Sequence, residues 1–488
     1  MRDSTLLAMF LLYYNRRYFS WYSIKKYLEC IPSVREKLLK TYISLQQSVE
    51  IPNYSTIKSI PIYGLSEDNV MKRLDKINEY KDNYENSRIS GIVYCDDKIH
   101  REKLMRLFSR YALSNPLHPD IFPEIRGMEI DIVSMVSNMF NGSKNTCGNV
   151  TSGGTESILL ACYTYREYSK KEYGITSPNI VAFKSVHPAF DKACHYFGIE
   201  LIKRKSWDRM KWSINRNTIC VIGSAPTYAY GIVDPIKKIA DYCQYKKIGF
   251  HVDCCMGGFL MPFLENNPVT FKNQGITSIS ADTHKYGNCF KGSSVLLFSH
   301  PSIKKHQHFV KTDWEGGMYA TPTLLGSKSG ALIASTWGSL IYTGTKKYTQ
   351  IAENIQKHVR RIVGIFGNDK NKNIQVIGNP DVNIIAFSSK TLDIYKIVAE
   401  MKNKGWDLSV LTNPTAFHFC ITSIHSEKII THFIVDLQNS IENVIENPRK
   451  ELSGTLAIYG SSAKIENSIF TEDVVNEYVG LLSKENIV

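Results

Sequence analysis

The chain has 488 residues, 43% apolar and 22% charged, the composition of an ordinary soluble globular protein with room for one large domain and a smaller one. Its formal charge of +13 is dispersed over pairs such as Arg16-Arg17, Lys25-Lys26, Lys304-Lys305 and Arg360-Arg361. With no long basic block, no nucleic-acid partner is expected, and a solvated surface, an anionic membrane face or phosphorylated substrates account for the balance. Eleven cysteines without a CxxC pair read as reduced thiols in a cytosol-facing protein. Neither a disulfide framework nor a metal site is expected, and the adjacent Cys254 and Cys255 read as small buried residues.

Residues 1–60 read as a helical, basic arm. Within it, residues 5–14 are apolar and are followed by Arg16, Arg17 and the aromatics Tyr18, Phe19, Trp21 and Tyr22. The run is too short to span a bilayer by itself, and no small-residue cleavage site follows. It reads as an interfacial membrane anchor or as an arm that packs on another subunit. Pro52 and Pro61 break the pattern, and residues 64–89 are charged with helical periodicity. Asn115-Pro-Leu-His-Pro-Asp120 and Phe122-Pro123 predict a proline-fixed loop, and residues 128–141 a helix.

From residue 147 the chain alternates. A turn is expected over 147–154, helices over 155–173, 189–197 and 236–245, and strands over 179–183, 218–222, 248–252, 278–280 and 294–298. Short β-rich runs separated by helices predict an α/β domain with a largely parallel sheet, whose ligands gather at the carboxyl ends of the strands. A long helix over 329–361 leads to an α+β unit with strands over 374–377, 382–387 and 416–421. The domain boundaries expected are 1–60, 61–345 and 346–488.

Four segments carry chemistry. Thr151-Ser-Gly-Gly-Thr-Glu156 precedes an amphipathic helix, so free N–H groups beside Gly153, Gly154 and Thr155 can cradle an anion; plain N-capping by Ser or Thr also explains such a turn. Asp253 ends an apolar strand, where it can face a pyridine nitrogen or merely form a turn. His187 can stack on a planar cofactor or cap a helix. Lys285 sits beside His284, with Lys291 six residues later, and a lysine amine can hold a carbonyl as a Schiff base. Turn, then His, then Asp, then Lys, each near a strand end, is the order of fold-type I enzymes that use pyridoxal 5'-phosphate (PLP).

At these residues the chain resembles the sphingosine-1-phosphate lyases, within the PLP-dependent decarboxylase-like group. The resemblance covers most of residues 60–460. It is carried by Ser90-Gly-Ile-Val-Tyr94, Asn115-Pro-Leu-His-Pro-Asp120, Thr151-Ser-Gly-Gly-Thr-Glu-Ser157, Ala189-Phe-Asp-Lys-Ala193, Gly223-Ser-Ala-Pro226, His251-Val-Asp253 with Gly257-Gly-Phe259, Ser278-Ile-Ser-Ala-Asp-Thr-His-Lys-Tyr-Gly287 and Trp314-Glu-Gly-Gly-Met-Tyr319. Lys404-Gly-Trp406 and Tyr459-Gly460 match as well. The implied fold is the aspartate-aminotransferase-like type I fold, with a large PLP-binding domain and a smaller C-terminal α+β domain.

The resemblance also implies roles. Lys285 would hold PLP as the Schiff base, Asp253 would pair with the pyridinium, and His187 would stack on the ring. Gly154, Thr155 and His284 would hold the cofactor phosphate, with Ser327 reaching over from a second subunit of a homodimer. Tyr94, Asn115 and His118 would contact the substrate's phosphate and headgroup. Tyr228 and Lys291 are the candidates for proton transfer. Lys328 stands where the family's usual arginine does, keeping the charge without the bidentate fork. The activity implied is cleavage of the C2–C3 bond of a phosphorylated long-chain base, at the cytosolic face of the endoplasmic reticulum membrane or in the cytoplasm. The rivals are a PLP-dependent amino-acid decarboxylase and a catalytically silent membrane-associated scaffold.

Overall fold

The computed structural model describes residues 56–75, 86–367, 372–448, 475–476 and 478–482. The apolar run 5–14 and the Tyr459-Gly460 match lie outside the described residues. The chain divides into two units, residues 83–446 and residues 1–82 with 447–488. In the second, the helix Glu67–Asp75 is described, and it buries none of its residues.

The 83–446 unit is built on a seven-stranded sheet. In chain order its strands are β1 (Cys147–Thr151), β2 (Asn179–Phe183), β3 (Glu200–Arg204), β4 (Thr218–Ser224), β5 (Gly249–Asp253), β6 (Ser278–Ala281) and β7 (Ser294–Phe298). Their spatial order is β1-β7-β6-β5-β4-β2-β3. The pairs from β3 through β6 are parallel, and β7 runs antiparallel to both β6 and β1. The predicted α/β architecture with a mostly parallel sheet is therefore what forms. Every residue of β4, β6 and β7 is buried. That explains why these strands read as continuous runs of apolar and small residues: a sheet covered on both faces leaves no polar side to alternate with. Helices Gly154–Tyr173 and Ala189–Phe197 join β2, β4 and β7 in one core through Ile158, Leu160, Tyr165, Phe190, Ile180, Ile222, Leu296 and Phe298.

A four-stranded antiparallel sheet follows, with β10 (Gln375–Val376), β11 (Ile384–Ser388), β12 (Ser409–Thr412) and β13 (Thr415–Cys420) in the order β10-β11-β13-β12. Between the sheets runs the helix Gly330–Phe366, interrupted at Gly344 (φ 65°, ψ 162°), a conformation that glycine adopts without strain. The Ser329 hydroxyl caps its start by accepting from the Leu332 N–H.

Several expectations need correction. Residues 147–151 form strand β1, not a turn. Gly148 and Asn149 are poor strand formers. The strand exists because β7 pairs with it, so closely that a Cβ at Gly148 would stand 2.3 Å from the Leu296 carbonyl oxygen. The helical pattern over 64–89 does not reach its end, since Ile89 bridges to Asp407 instead. The strands β3 and β12 and an exposed hairpin of β8 (Phe309–Trp314) with β9 (Gly317–Thr321) were not anticipated. All are edge or surface strands whose mixed polarity hides period-two alternation.

Candidate active site

The register sets the site. Ser224 at the end of β4 lies opposite Asp253 at the end of β5, and Asp253 lies opposite Ser280 of β6. Because β7 opposes both β6 and β1, β1 also delivers its carboxyl end, and the Ser152-Gly153 turn after it, to this edge. A hydroxyl ladder fastens that turn to the sheet: Thr151 Oγ1 to Ser157 Oγ at 2.7 Å, Ser157 Oγ to Ser294 Oγ at 3.0 Å, and Ser294 Oγ–H to the Ala281 carbonyl at 3.2 Å. A cavity of about 330 Å³ opens along this edge, and Tyr94, Ser152, Gly153, Gly154, Thr155, His187, Tyr228, Asp253, Asp282, His284 and Lys285 are on its wall.

Lys285 projects from a loop pinned on several sides. The Tyr286 hydroxyl donates to the Ile421 carbonyl at 2.6 Å and accepts from Asn383 Nδ2 at 2.8 Å. The Gly287 carbonyl accepts from Ser339 and Tyr348, both at 2.9 Å. His284 Nδ1 lies 2.6 Å from the Ser293 carbonyl and donates to it. Lys285 Nζ lies 2.9 Å from Asp282 Oδ2, and the Asp282 side chain is 2% exposed. Burial alone would lower the lysine's pKa, but the Asp282 charge prevails and holds it above the usual lysine range. The reciprocal effect holds for Asp282: burial works to raise its pKa, while Lys285 and His284 keep it below the usual carboxylate range. Burial lowers the pKa of His284 itself.

The residues present fit PLP. Gly153 has φ +151° and heads the 20-residue helix Gly154–Tyr173 with no side-chain cap, so the N-capping explanation of this turn does not apply. Glu156 Oε2 instead reaches back to the Ser152 N–H at 2.6 Å and fixes the turn's shape. A Cβ at Gly153 would be 3.5 Å from His284 Cε1, which puts the imidazole beside the cradle. A Cβ at Gly154 would be 2.8 Å from both Asp282 carboxylate oxygens and 2.9 Å from Cys255 Sγ. Asp282 Oδ1 is buried with no hydrogen-bond partner. A close-approach glycine turn, a helix N-terminus, a lysine and a strand-end carboxylate around one cavity are the parts a phosphorylated pyridine aldehyde needs. Gly154→Ala is accordingly expected to weaken cofactor binding roughly tenfold to a hundredfold, as overpacking by about 1–3 kcal/mol displaces Asp282. Fluorescence titration of the cofactor-free protein measures this.

The other predicted residues divide into two groups. His187 lines the cavity, and its Nδ1 accepts from the Ala189 N–H at 3.1 Å, so the ring is oriented by the helix start it also caps. Tyr228 packs edge-on against His187 at 6.3 Å and His418 at 4.8 Å. Tyr94 arrives because residues 89–94 are laced to β13: Gly91 N–H donates to the Cys420 carbonyl at 2.9 Å, and Ser90 Oγ accepts from the Cys420 N–H at 2.9 Å. Lys291 Nζ sits 4.5 Å from the centre of the Tyr94 ring, one side chain behind the cavity wall. Desolvation and the Lys285 charge lower its pKa.

Asn115, His118 and Ser327 are not on the wall of this cavity. Asn115 Nδ2 donates to Ser327 Oγ at 3.1 Å, and His118 is tied to Asn115 by a backbone turn bond, its N–H donating to the Asn115 carbonyl at 3.1 Å. Lys328 beside them is spent on Glu129, 2.7 Å away.

Sequence reasoning missed Asp282, Cys255, Met256 and Glu156 as site residues. A signal for Asp282 existed: an acid closing a strand three residues before a lysine. Cys255 carried none, since its neighbour Cys254, also buried, is not on the cavity wall.

A family model, the pyridoxal-dependent decarboxylase conserved domain, matches residues 107–390. The chain is 41% identical over 431 residues to sphingosine-1-phosphate lyase 1 of Rattus norvegicus, covering 85% of this chain and 75% of the relative. It is 33% identical to the sphingosine-1-phosphate lyase of Saccharomyces cerevisiae, covering 96% and 83%. A solved structure of the Burkholderia pseudomallei sphingosine-1-phosphate lyase superposes with a TM-score of 0.77 at 31% identity, covering 85% of this chain and 98% of that one. The glutamate decarboxylase of Lactobacillus brevis superposes at 0.69 with 18% identity, over 82% and 97%, which speaks to the fold alone. With this cavity, this order of turn, acid and lysine, and these likenesses, the chain belongs to the sphingosine-1-phosphate lyase family of PLP-dependent enzymes.

Proposed function

We infer that this protein is a PLP-dependent lyase that cleaves the C2–C3 bond of sphingosine 1-phosphate or a related long-chain base phosphate. The products are a long-chain aldehyde and ethanolamine phosphate. The observation that carries this reading is the convergence of Lys285, Asp253, His187 and the Gly153-Gly154 turn on one cavity in a chain of this family. PLP supplies, when bound, a carbonyl that condenses with amines and a ring that accepts the electron pair of a breaking bond.

The chain's own residues do the rest. The Gly154 turn, Thr155 and His284 bind the cofactor phosphate. Lys285 holds the cofactor, and Asp282 keeps the lysine's amine charged whenever it is released. Asp253 would present its negative charge to a protonated ring nitrogen, and His187 would stack on the ring. Tyr228, on the cavity wall, and Lys291, behind Tyr94 with its pKa lowered by desolvation, are the candidates to take the C3 hydroxyl proton and return a proton to C2.

The assay that tests this offers dihydrosphingosine phosphate in parallel with glutamate and aromatic amino acids. Long-chain aldehyde without carbon dioxide is expected. Carbon dioxide release from an amino acid, with no aldehyde from the phosphorylated base, sinks the reading in favour of a decarboxylase.

The site is proposed to be shared between two copies in a homodimer. What supports this is that Asn115 and Ser327 bond to each other, and that neither they nor His118 line the cavity around their own chain's Lys285. A randomly reassembled 1:1 mixture of Lys285→Ala with Asn115→Ala is expected to recover up to about a quarter of wild-type activity, because half of the dimers are mixed and each of those has one of its two sites intact. Recovery no greater than the sum of the separate variants argues against sharing. Association with the cytosolic face of the endoplasmic reticulum membrane, through residues 5–22, is proposed from their apolar, aromatic and basic content. Among the described residues no helix is long and apolar enough to cross a membrane.

A further inference from the structure

Behind the cavity, four side chains with no assigned role connect to Asp253. The Tyr165 hydroxyl is 2.6 Å from Ser278 Oγ, and Ser278 Oγ is 2.8 Å from His251 Nδ1. His251 Nε2 is 3.2 Å from Ser280 Oγ, and the Ser280 hydroxyl reaches Asp253 Oδ1 at 3.5 Å, the long limit for such a bond. His251, Ser278 and Ser280 are fully buried, and Tyr165 is 1% exposed. Asp253 Oδ1 also accepts from the Cys255 N–H at 3.1 Å, and Cys255 Sγ–H donates to Ser280 Oγ at 3.4 Å.

We propose that Tyr165, Ser278, His251 and Ser280 form a one-way hydrogen-bond chain that ends on Asp253 and holds its carboxylate fixed in place, with His251 and Ser280 as positioning residues for the cofactor's counter-charge. The direction follows from donor counting. An ionised carboxylate only accepts, so the Ser280 O–H points at Asp253. Ser280 then has only its oxygen to offer His251, so Nε2 carries a hydrogen. A neutral imidazole with Nε2–H has a bare Nδ1, which takes the Ser278 O–H. The Ser278 oxygen in turn accepts from Tyr165. Tyr165 is itself supplied by Thr277 Oγ1 at 2.6 Å, closer than the Phe250 carbonyl at 3.1 Å, which already accepts from the Thr277 N–H at 2.9 Å; the Thr277 oxygen accepts from the Phe250 N–H at 2.8 Å.

Each hydroxyl hydrogen is donated once and each ring nitrogen is used once, so no donor of the chain is stranded in the core. A doubly protonated His251 would turn the Ser278 hydroxyl away, and the Tyr165 and Thr277 hydroxyls would have to reverse with it towards the Phe250 carbonyl. Burial, the dominant influence, pushes the His251 pKa down to about 4 against the opposing pull of Asp253, so the ring is neutral at pH 7. The titratable groups around this ring are Tyr165 from the helix Gly154–Tyr173, Cys220 from β4 and Asp253 on its own strand. The edge of Phe190, 6.0 Å away, closes the remaining side.

The test has two readouts. In protein labelled with 15N-histidine and free of cofactor, at pH 7, the His251 resonances are identified by their loss in His251→Gln. They are expected to show a protonated Nε2 and an unprotonated Nδ1. This readout does not depend on what fills the cavity. Separately, Ser280→Ala is expected to bind PLP about tenfold more weakly, by tryptophan fluorescence quenching, with Ser280→Thr restoring affinity. A protonated Nδ1 at pH 7, or a Ser280→Ala variant that binds PLP as tightly as wild type, overturns the proposal.

Discussion

Lys285→Ala is expected to abolish turnover, by roughly 10⁴-fold or more, and to remove the visible absorbance band of the bound cofactor. Among the described residues, the amine is the only side-chain nitrogen of a lysine on the wall of the cavity. Lys291 cannot simply replace it, because its ammonium is engaged with the Tyr94 ring. A second consequence follows from the Asp282 pair. With the ammonium gone, a carboxylate that is 2% exposed loses its principal counter-charge. Breaking a buried pair of this kind costs on the order of 3–5 kcal/mol. The cofactor-free variant is therefore expected to unfold at lower urea concentration at pH 7.

The pH dependence has a definite sign. In the wild type the folded-state pKa of Asp282 lies below its unfolded value, so its contribution is present at neutral pH and lost as pH falls. In the variant, burial is left to raise that pKa above the unfolded value, and protonation then favours the folded state. The stability gap between the two proteins should narrow as pH falls from 7 to 5. A gap that stays constant over that range, in urea unfolding curves, contradicts the role given to Asp282.

Asp253→Asn separates charge from shape. The amide oxygen can still accept from the Cys255 N–H and the Ser280 hydroxyl, so the strand end keeps its geometry. What is lost is the negative charge facing the cavity. If that charge keeps the cofactor ring protonated, kcat/KM for the long-chain base phosphate falls about 10²- to 10³-fold, the scale of removing one preorganised electrostatic partner. Unfolding midpoints should change little by comparison. A variant within about threefold of wild-type kcat/KM excludes a charge role for Asp253.

The parts of the fold legible in the sequence were those whose signal is local. The helix Ala189–Phe197 and the strands Asn179–Phe183 and Ser294–Phe298 have the residue limits read from periodicity. Each is a short apolar or amphipathic run bounded by polar or turn residues. Strand β1 was illegible because Cys147-Gly-Asn149 has no strand character of its own and takes its conformation from Leu296 and Leu297 across the ladder. The hairpin of β8 and β9 was hidden for another reason: all but two of its residues are exposed, so no burial pattern marks its alternation.

The candidate site shows the same division. Lys285, Asp253, His187 and the Gly153-Gly154 turn could be named from sequence because each is a chemically distinctive residue at a strand end or helix start. Their type and order alone specify a PLP enzyme, and the longer motifs around them specify the lyase family. Sequence could not show that Asp282 neutralises Lys285, that Glu156 rather than a serine shapes the turn, or that a histidine two residues before Asp253 is wired to it through Ser280. Those relations join β1, β5, β6 and the loop after β6, which are far apart in the chain. They exist only because parallel strand pairing aligns the carboxyl ends of β4, β5 and β6 at one edge, and the antiparallel β7 brings β1 to the same edge. Residue identity settles which chemistry is available, while charge pairing and hydrogen-bond direction depend on distances of a few ångströms that only the packed sheet sets.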